Sequence, residues 1–523
     1  MMNGGMNGAE LFARALRQQG VEWMATLCGH GLDPLYAAAR AAGVRLIDTR
    51  NEQTAAYTAD AFARLTRRVG VCAVSSGVAH VNALAGAANA WFDGAPMLLV
   101  SGAGAHATAG MGHFQDMDQV ALARPLCRYA RTVDAVARIV QILEEALSAA
   151  GGDSPGPVHL TLPLDVQRAE VSAAELAPAL PHPSPRVAAD DVEAAVAALD
   201  AARKPLVVAG SGVFRSGCAA ALLGFCERHR IPVLTPIWDR GCVDRPSTVF
   251  LGVVGAATGG PEVLAEADCI LMAGAAVDYR VGYLQPPAIR SDARVLFFER
   301  SWDSLAEGRG KRPGLAWPEW LAECVRRRDE FRSRVAARAE EQARKGLHAI
   351  DIVRAIESVL TPDSVLLIDG GSVGQWAHQL LCSDRYPGHW LTCGRSAVVG
   401  WGIAGGMAAR LAHPDRPVIL LAGDGAFTFN VADLESAVRH RLPFVAVVAD
   451  DQAWGITRAG HIQQFGEPIA SSLGPIAFRE LARALGASGV QATTPEAIVS
   501  ELRRAIERPE VTVIHVPIAG GNP

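Results

Sequence analysis

The sequence predicts an α/β protein built from three Rossmann-like parallel-sheet domains. Short apolar runs that end in Gly or in an acid alternate with Ala-rich helical patterns, which is typical of strands buried on both faces of a parallel sheet. Such runs lie at 45–49, 71–75, 97–101, 205–209, 269–273, 295–299 and 364–369. The chain has 523 residues, a length that suits about three domains.

Proline and charge mark the expected domain joints. Residues 177–185 contain four prolines, so we expect a linker at 176–186. Residues 326–345 are charge-laced with little apolar face, as in an exposed connecting helix. The expected domains are therefore an N-terminal domain at 1–176, a central domain at 187–335 and a C-terminal domain at 346–523.

Composition favours small-molecule chemistry in the cytoplasm. No apolar stretch approaches the ~20 residues of a membrane span, and the polar start of the chain lacks a signal-peptide core. The formal charge of −5 is spread without a basic stripe, so we expect no nucleic-acid partner. The ten cysteines include no CxxC pair, which indicates reduced thiols rather than a zinc site.

Two acids follow neighbouring predicted strands in the C-terminal domain. Asp424 follows the apolar run 416–422, and Asp451 follows the run 444–449, with a helix capped by Asn430 predicted between them. A strand–helix–strand unit is a right-handed crossover, so both acids should lie at carboxyl ends of parallel strands, where α/β sheets bind ligands. Hard oxygen ligands there suit Mg²⁺ holding a diphosphate. The alternative is that Asp424 only ends a turn.

Glu52 lies between the predicted strand 45–49 and an Ala-rich helix at 55–64. Taken alone, an acid in this place usually complements a helix dipole.

Five motifs occur together in an order that resembles one enzyme family. In chain order they are Glu52 before its helix, SSGVAHVN at 75–82, FQDMDQ at 114–119, GWG at 400–402 and GDG at 423–425. Over about residues 8 to 517 the chain resembles the thiamine-diphosphate-dependent enzymes of the acetolactate synthase, pyruvate oxidase and benzaldehyde lyase group.

This resemblance implies a pyrimidine-binding N-terminal domain, a central Rossmann-like domain and a diphosphate-binding C-terminal domain. It also implies a homodimer or homotetramer, with each active site shared between subunits. Glu52 matches the glutamate that bonds the pyrimidine N1′ and favours the tautomer that deprotonates thiazolium C2. Val399 matches the apolar residue that holds the cofactor bent, and the carbonyl of Ala397 is expected to accept from the 4′-amino group.

The resemblance also implies the metal and diphosphate ligands. The metal ligands would be Asp424, Asp451 and the carbonyl of Ala453, and the diphosphate cradle would comprise Gly371, Ser372, Val373, Gly425 and Ala426. Most relatives carry Asn where this chain has Asp451, and an acid there should demand metal more strictly or favour a protonated or water-bridged arrangement. We expect Asp451→Asn to keep cofactor binding and Asp451→Ala to lose it.

The substrate side follows the same resemblance. His30 falls in the loop that faces thiazolium C2, and Gln115 matches a glutamine that contacts the bound intermediate; as an alternative, His30 only caps a turn. His80, Arg458 and His461 are weaker candidates for the entrance. Ala276 stands where dinucleotide-binding relatives often carry Arg, so FAD is doubtful, although Glu299 at a strand end keeps ribose binding open.

The favoured function is an acetolactate-synthase-like carboligase or decarboxylase that acts on a 2-oxo acid through a C2 carbanion and an enamine. The main alternative is a lyase like benzaldehyde lyase or 2-hydroxyacyl-CoA lyase, which cleaves an acyloin to an aldehyde. A non-catalytic cofactor-binding paralogue and an NAD-type dehydrogenase are further alternatives. The latter rests only on the fragment Gly210-Ser211-Gly212.

Overall fold

The computed structural model describes residues 6–152, 154–171, 191–239, 243, 245–255, 259–298, 301–310, 316–343, 346–381 and 390–519. The predicted linker at 176–186 and Glu299 lie outside the described residues. Within these ranges, no helix has both the length and the apolar character needed to cross a membrane.

The N-terminal unit is a six-stranded sheet in the order β3-β2-β4-β5-β7-β6, and every neighbouring pair is parallel. Strands β4 and β5 are almost wholly buried because helices cover both faces of the sheet. The elements are β1 Met6–Asn7, α1 Gly8–Gln18, β2 Trp23–Leu27, α2 Asp33–Ala41, β3 Arg45–Asp48, α3 Glu52–Thr66, β4 Gly70–Val74, α4 Val78–Asp93, β5 Met97–Ala103, α5 Gln119–Ala123, β6 Tyr129–Thr132, α6 Ile139–Gly151, β7 Pro157–Pro163, α7 Leu164–Arg168 and β8 Glu170–Val171.

The central unit is a five-stranded parallel sheet in the order β11-β10-β9-β12-β13. Its elements are α8 Val192–Ala201, β9 Pro205–Ala209, α9 Ser211–Ser216, α10 Ala219–His229, β10 Val233–Pro236, β11 Phe250–Val254, β12 Cys269–Ala273, β13 Arg294–Phe297, α11 Trp302–Gly310 and α12 Pro318–Ala343. The predicted charge-laced connection is helix α12. Trp320 near its start packs in the central core and Val335 packs in the C-terminal core, so α12 bridges the two units.

The C-terminal unit is a second six-stranded parallel sheet, in the order β15-β14-β16-β17-β19-β18. Its elements are α13 Ala349–Val359, β14 Val365–Asp369, α14 Gly371–Leu380, β15 Trp390–Thr392, α15 Gly402–Ala412, β16 Val418–Gly423, α16 Asp424–Thr428, α17 Asp433–Arg439, β17 Val445–Asp450, α18 Gly455–Phe465, α19 Phe478–Ala484, β18 Ser488–Gln491, α20 Pro495–Ile506 and β19 Thr512–Pro517. The three parallel sheets confirm the predicted fold class.

One local prediction is wrong, because Asn430 does not cap the helix between the two acids. The chain makes a short helix, α16, directly after β16, and α17 begins only at Asp433. Asn430 lies in the turn between these helices, where its side chain donates to the carbonyl of Gly400 at 2.9 Å. Its side chain thus holds a loop of the candidate site instead of a helix end.

The N-terminal and C-terminal units share one core. Helix α3 packs against α15, and their buried side chains belong to the same apolar cluster. A buried ionic network crosses this contact: Arg64 lies 3.1 Å from both Asp60 and Asp93 and donates to the carbonyl of Thr392 at 2.8 Å. The shared core fixes the helix that begins at Glu52 relative to the C-terminal sheet.

Candidate active site

Asp424 and Asp451 lie at the same edge of the C-terminal sheet. Strands β16 and β17 are adjacent and parallel, with Gly423 paired to Ala449, so the residues that follow them emerge together. Asp424 is buried and Asp451 is half-buried. The crossover predicted from the sequence therefore produces the expected juxtaposition.

One cavity at this edge gathers most of the predicted cofactor residues. Its lining includes Gly371, Ser372, Val373, Val399, Asp424, Gly425, Ala426, Asp451 and Ala453. Most of these residues follow the ends of the neighbouring strands β14, β16 and β17, and Val399 lies in the loop between β15 and α15. Among the predicted cofactor and metal residues of this unit, Ala397 alone does not belong to the lining.

Glycine keeps this cavity open and lets Asp451 reach it. A Cβ at Gly455 would lie 2.6 Å from Oδ2 of Asp451 and 3.1 Å from Oγ of Ser372. A Cβ at Gly425 would lie 2.8 Å from the ring of Trp454. The missing side chains let Asp451, Ser372 and Trp454 lie close against the main chain at this edge of the cavity.

Burial disfavours the charged forms of Asp424 and Asp451. Burial raises the pKa of Asp424 to about 7, the neighbouring carboxylates of Asp451 and Asp450 add to the increase, and the N–H of Gly425 opposes it. Burial also raises the pKa of Asp451. A divalent cation between Asp424 and Asp451 would relieve the repulsion, so the donor set fits Mg²⁺ completed by the carbonyl of Ala453 and by phosphate or water oxygens.

Asp369, which the sequence analysis missed, fixes the loop at 397–402. Its carboxylate accepts the N–H groups of Gly400 at 3.0 Å and Gly402 at 2.8 Å, and burial raises its pKa to about 7. In this loop Ala397 adopts a left-handed backbone with φ 55°, a strained conformation for a residue with a Cβ. The available signal was an acid at the end of run 364–369, directly before two glycines.

Val399, in the same loop, rests on the start of helix α14. A Cβ at Gly370 would lie 2.8 Å from Cγ1 of Val399. Gly370 is therefore needed for the apolar side chain to sit over the cavity.

The predicted residues of the N-terminal unit also meet at one sheet edge. His30, Glu52 and Gln115 follow the carboxyl ends of β2, β3 and β5. Glu52 is the first residue of α3, and its Oε2 accepts from Nδ2 of Asn82 on α4 at 3.1 Å. Gln115 has φ 55° and its Oε1 accepts from Oγ of Ser76 at 2.9 Å.

Two aromatic rings enclose His30. Its ring stacks on that of His113 with centroids 5.5 Å apart, and Phe114 meets it edge-on at 5.3 Å. Its Nε2 is buried without a hydrogen-bond partner among the described residues. His113 was not among the residues predicted from the sequence.

The three residues predicted to line the entrance, His80, Arg458 and His461, differ in their exposure. His80 is fully buried and its Nδ1 lies 2.8 Å from Oγ of Ser101, so the prediction that it lines an entrance is wrong. His80 lies in the first turn of α4, on the helix face that packs against the sheet, so its side chain is buried there. Arg458 and His461 lie on α18, whose described side chains include none that is buried.

Within one chain, the two sets of residues do not form a single cavity. Among the described residues, those that line the cavity at Asp424 and Asp451 belong to the C-terminal unit, and Glu52, His30 and Gln115 are not among them.

The glycine fragment of the central unit is closely packed. A Cβ at Gly274 would lie 2.6 Å from Cα of Gly212, and Ser211 donates to Asp239 at 3.0 Å. Arg280 is buried against Asp239 at 3.3 Å.

Comparisons with known proteins agree with this geometry. Residues 6–122 match the N-terminal TPP binding domain of thiamine pyrophosphate enzymes, 192–307 match the central domain, and 369–516 match the C-terminal TPP binding domain.

The chain belongs to the thiamine pyrophosphate enzyme family. Thiamine pyrophosphate, also called thiamine diphosphate, is the cofactor of this family. The chain is accordingly an enzyme that makes or breaks carbon–carbon bonds. A probable acetolactate synthase of Mycobacterium bovis is 30% identical over 96% of this chain and 93% of its own length. Human 2-hydroxyacyl-CoA lyase 2 is 29% identical over 92% of this chain and 85% of its own length. An acetolactate synthase large subunit of Parasynechococcus marenigrum is 28% identical, covering 99% and 88% respectively.

Proposed function

We propose that this thiamine pyrophosphate enzyme is a Mg²⁺-dependent carboligase or decarboxylase that acts on a 2-oxo acid, as an acetolactate synthase does. The observation that carries the proposal is the cavity lined by Asp424, Asp451 and Ala453 inside the C-terminal TPP binding domain. Two carboxylates and a glycine-rich backbone at one sheet edge form a donor set for a metal diphosphate.

The C-terminal residues would bind and orient the cofactor. Asp424, Asp451 and the carbonyl of Ala453 would hold Mg²⁺, and the main chain at 371–373 and 425–426 would bind the diphosphate. Asp369 fixes the loop that presents Val399 and the carbonyl of Ala397. When bound, thiamine diphosphate supplies a nucleophilic C2 carbon and a cationic thiazolium ring that acts as an electron sink.

The N-terminal residues would control protons and substrate. Glu52 would hold a proton at the pyrimidine N1′, and Asn82 fixes the orientation of its carboxylate. His30, with its buried and unpartnered Nε2, would exchange a proton with the substrate. Gln115, oriented by Ser76, would hydrogen-bond the substrate oxygen.

The proposal includes a homodimer or homotetramer, because a single chain keeps Glu52 apart from the diphosphate cavity. Apolar side chains are exposed beside both sets of residues: Val78 is 60% exposed, Phe114 63% and Phe429 53%. An exposed apolar surface of this kind favours burial against a second copy. Size-exclusion chromatography with light scattering measures this directly.

A lyase is the second candidate, favoured by the similarity to human 2-hydroxyacyl-CoA lyase 2 over 92% of this chain. The two functions differ in their products. A carboligase or decarboxylase would release CO₂ from a 2-oxo acid such as pyruvate, whereas a lyase would release an aldehyde from an acyloin or a 2-hydroxyacyl-CoA without CO₂.

The test is a product screen by mass spectrometry with purified protein, thiamine diphosphate and Mg²⁺. The substrates are 2-oxo acids, acyloins and acyl-CoA compounds. We expect CO₂ and a ligated product from a 2-oxo acid, and no product after Asp424→Asn. Aldehyde release alone would support the lyase, and no turnover of any substrate would contradict both candidates.

A further inference from the structure

Asp450 and Asp451 follow one another at the end of β17, but the structure places their charges in different surroundings. Oδ2 of Asp450 lies 2.8 Å from Nε2 of His515 on the neighbouring strand β19, and its Oδ1 accepts the N–H of Gln452 at 3.2 Å. Asp450 and His515 are 5% and 7% exposed. Since an imidazole and a main-chain N–H already partner it, the Asp450 carboxylate is occupied within the protein.

Asp451 instead contributes to the cavity that Asp424 also lines. The absent side chain of Gly455 is what allows its Oδ2 to lie there, beside Ser372. The basic side chain whose charge reaches Asp451 belongs to Arg458, which is exposed on α18 and therefore screened by solvent. Two carboxylates thus line the cavity with no buried cation described beside them.

A second carboxylate changes how the site holds its cation. An asparagine at position 451 would contribute a neutral oxygen, and Asp424 would then be the one carboxylate among the described residues that line the cavity. At an effective dielectric constant of about 20, a full charge a few Å from a divalent cation changes its affinity by well over tenfold. The same charge repels a diphosphate that arrives without a cation.

We propose that this chain binds its divalent cation before the cofactor, through Asp424, Asp451 and the carbonyl of Ala453. This inference rests on the proposed function, since it concerns the same metal site. Among the described residues no group of three His, Cys, Asp or Glu side chains converges on a metal. The remaining coordination positions are therefore open to water first and to the diphosphate afterwards. Cation binding becomes the step that makes the cavity receptive to a phosphate.

The experiment measures Mn²⁺ binding to the cofactor-free protein by electron paramagnetic resonance. Full-length protein is dialysed against a chelator and titrated with Mn²⁺, with and without thiamine diphosphate. We expect the wild type to bind Mn²⁺ without the cofactor. We expect Asp451→Asn to bind it at least about tenfold more weakly in that condition and to recover when thiamine diphosphate is added.

Asp450→Asn is the matched control, because it removes the adjacent carboxylate that His515 already partners. We expect this variant to keep Mn²⁺ affinity within about threefold of wild type, since the Asp450 side chain is held against His515 and does not line the cavity. Asp424→Asn should abolish Mn²⁺ binding in both conditions, which would locate the ion in this cavity.

The possible failures are distinguishable. If wild type and Asp451→Asn bind Mn²⁺ only when thiamine diphosphate is present, cofactor-independent binding is wrong and the proposed function stands. If cofactor-free binding is equal in wild type, Asp451→Asn and Asp424→Asn, the ion lies elsewhere and the inference is also overturned. If no protein binds Mn²⁺ even with thiamine diphosphate, the proposed metal site itself is wrong.

Discussion

At the scale of single residues, Asp369 connects the sheet to the loop that carries Val399. Replacing it by Ala would leave the N–H groups of Gly400 and Gly402 unpaired in a buried place, at a cost of about 2–5 kcal/mol of stability. The loop would also lose its fixed conformation. We expect a lower melting temperature and weaker thiamine diphosphate binding, measured by calorimetry.

Asp363→Ala is the control for this substitution, because Asp363 is exposed just before the same strand. It should leave both quantities unchanged. Equal cofactor affinity in wild type and Asp369→Ala would show that the loop does not depend on this carboxylate.

The buried pair of His80 and His159 predicts acid sensitivity. Their rings lie 4.6 Å apart and both bond Ser101; burial lowers the pKa of His80 to about 4 and that of His159 well below its usual value. The unfolded chain takes up protons below pH ~6.5 that the folded chain excludes, so stability is present above that pH and falls as the pH decreases, by up to about 1.4 kcal/mol per pH unit for each histidine.

The measurement is the melting temperature at pH 7.5 and at pH 5. We expect the change in melting temperature between pH 7.5 and pH 5 to be less favourable for the wild type than for His159→Gln, which removes one of the excluded protonations. Asp369 and Asp424, whose pKa values burial raises to about 7, act in the opposite direction but equally in both proteins. His378, whose pKa is also lowered to about 4 by burial, remains in both proteins and adds the same contribution to each. An identical change in melting temperature in both proteins would show that His159 does not contribute to the acid sensitivity.

The sequence could predict those residues whose place follows from the order and direction of neighbouring strands. Asp424 and Asp451 follow successive parallel strands, so a crossover alone brings them together. The errors concerned residues whose surroundings come from elsewhere in the fold: Asn430 reaches the loop at Gly400, and His80 reaches Ser101. Asp369 was missed because its partners are main-chain groups some 30 residues away, which leave no pattern of their own.

At the scale of elements, the crossing of α3 and α4 is tight at Gly86. A Cβ there would lie 2.5 Å from Cβ of Ala56 and 2.6 Å from its carbonyl carbon. Gly86→Ala must therefore push apart the helix that begins at Glu52 and the one that carries Asn82, at a cost of about 1–3 kcal/mol. We expect lower stability by denaturant unfolding and reduced turnover.

Gly224→Ala is the matched substitution in helix α10, where no atom lies within 4 Å of the added Cβ. There, removing a helix-interior glycine should stabilise the protein by about 0.5–1 kcal/mol. If the two variants change stability in the same direction, the crossing of α3 and α4 is not the constraint described.

The elements themselves were largely predictable. Buried parallel strands are continuous apolar runs, and those predicted at 205–209 and 269–273 coincide with β9 and β12. The short helix α16 was not predicted, because five residues after a strand carry too little periodicity to be distinguished from a turn.

At the scale of the whole molecule, the ionic network around Arg64 joins the N-terminal and C-terminal units. Arg64 pairs with Asp60 and Asp93, and its guanidinium also lies 5.1 Å from the centre of the Trp401 ring. Arg64→Met would leave the buried Asp60 carboxylate without its cation and Asp93 with only Arg395 at 3.8 Å, at a cost of about 3–5 kcal/mol. We expect a large decrease in melting temperature by scanning calorimetry.

Arg14→Met, at an exposed position of α1, is the control and should change the melting temperature little. An equally small effect of Arg64→Met would mean that the shared apolar core alone holds the two units together.

The three-sheet architecture was predictable because alternation of strands and helices is encoded locally. The packing of the units against one another could not be predicted. It depends on apolar faces such as those of α3 and α15, and a sequence pattern shows that such a face is buried but not which partner buries it. The same limit applies to the meeting of Glu52 with the diphosphate cavity, which the proposal assigns to a second subunit.

In the proposed active site, Glu52 activates a thiamine diphosphate held by Asp424, Asp451 and Mg²⁺. The most direct measurement is the rate at which the C2 proton of the bound cofactor exchanges with deuterium, followed by NMR in wild type and Glu52→Gln. We predict exchange at least about 100-fold slower in the variant, with cofactor affinity changed far less and with Glu357→Gln, an exposed control, behaving as wild type. Exchange at the wild-type rate in Glu52→Gln would show that Glu52 does not activate the cofactor.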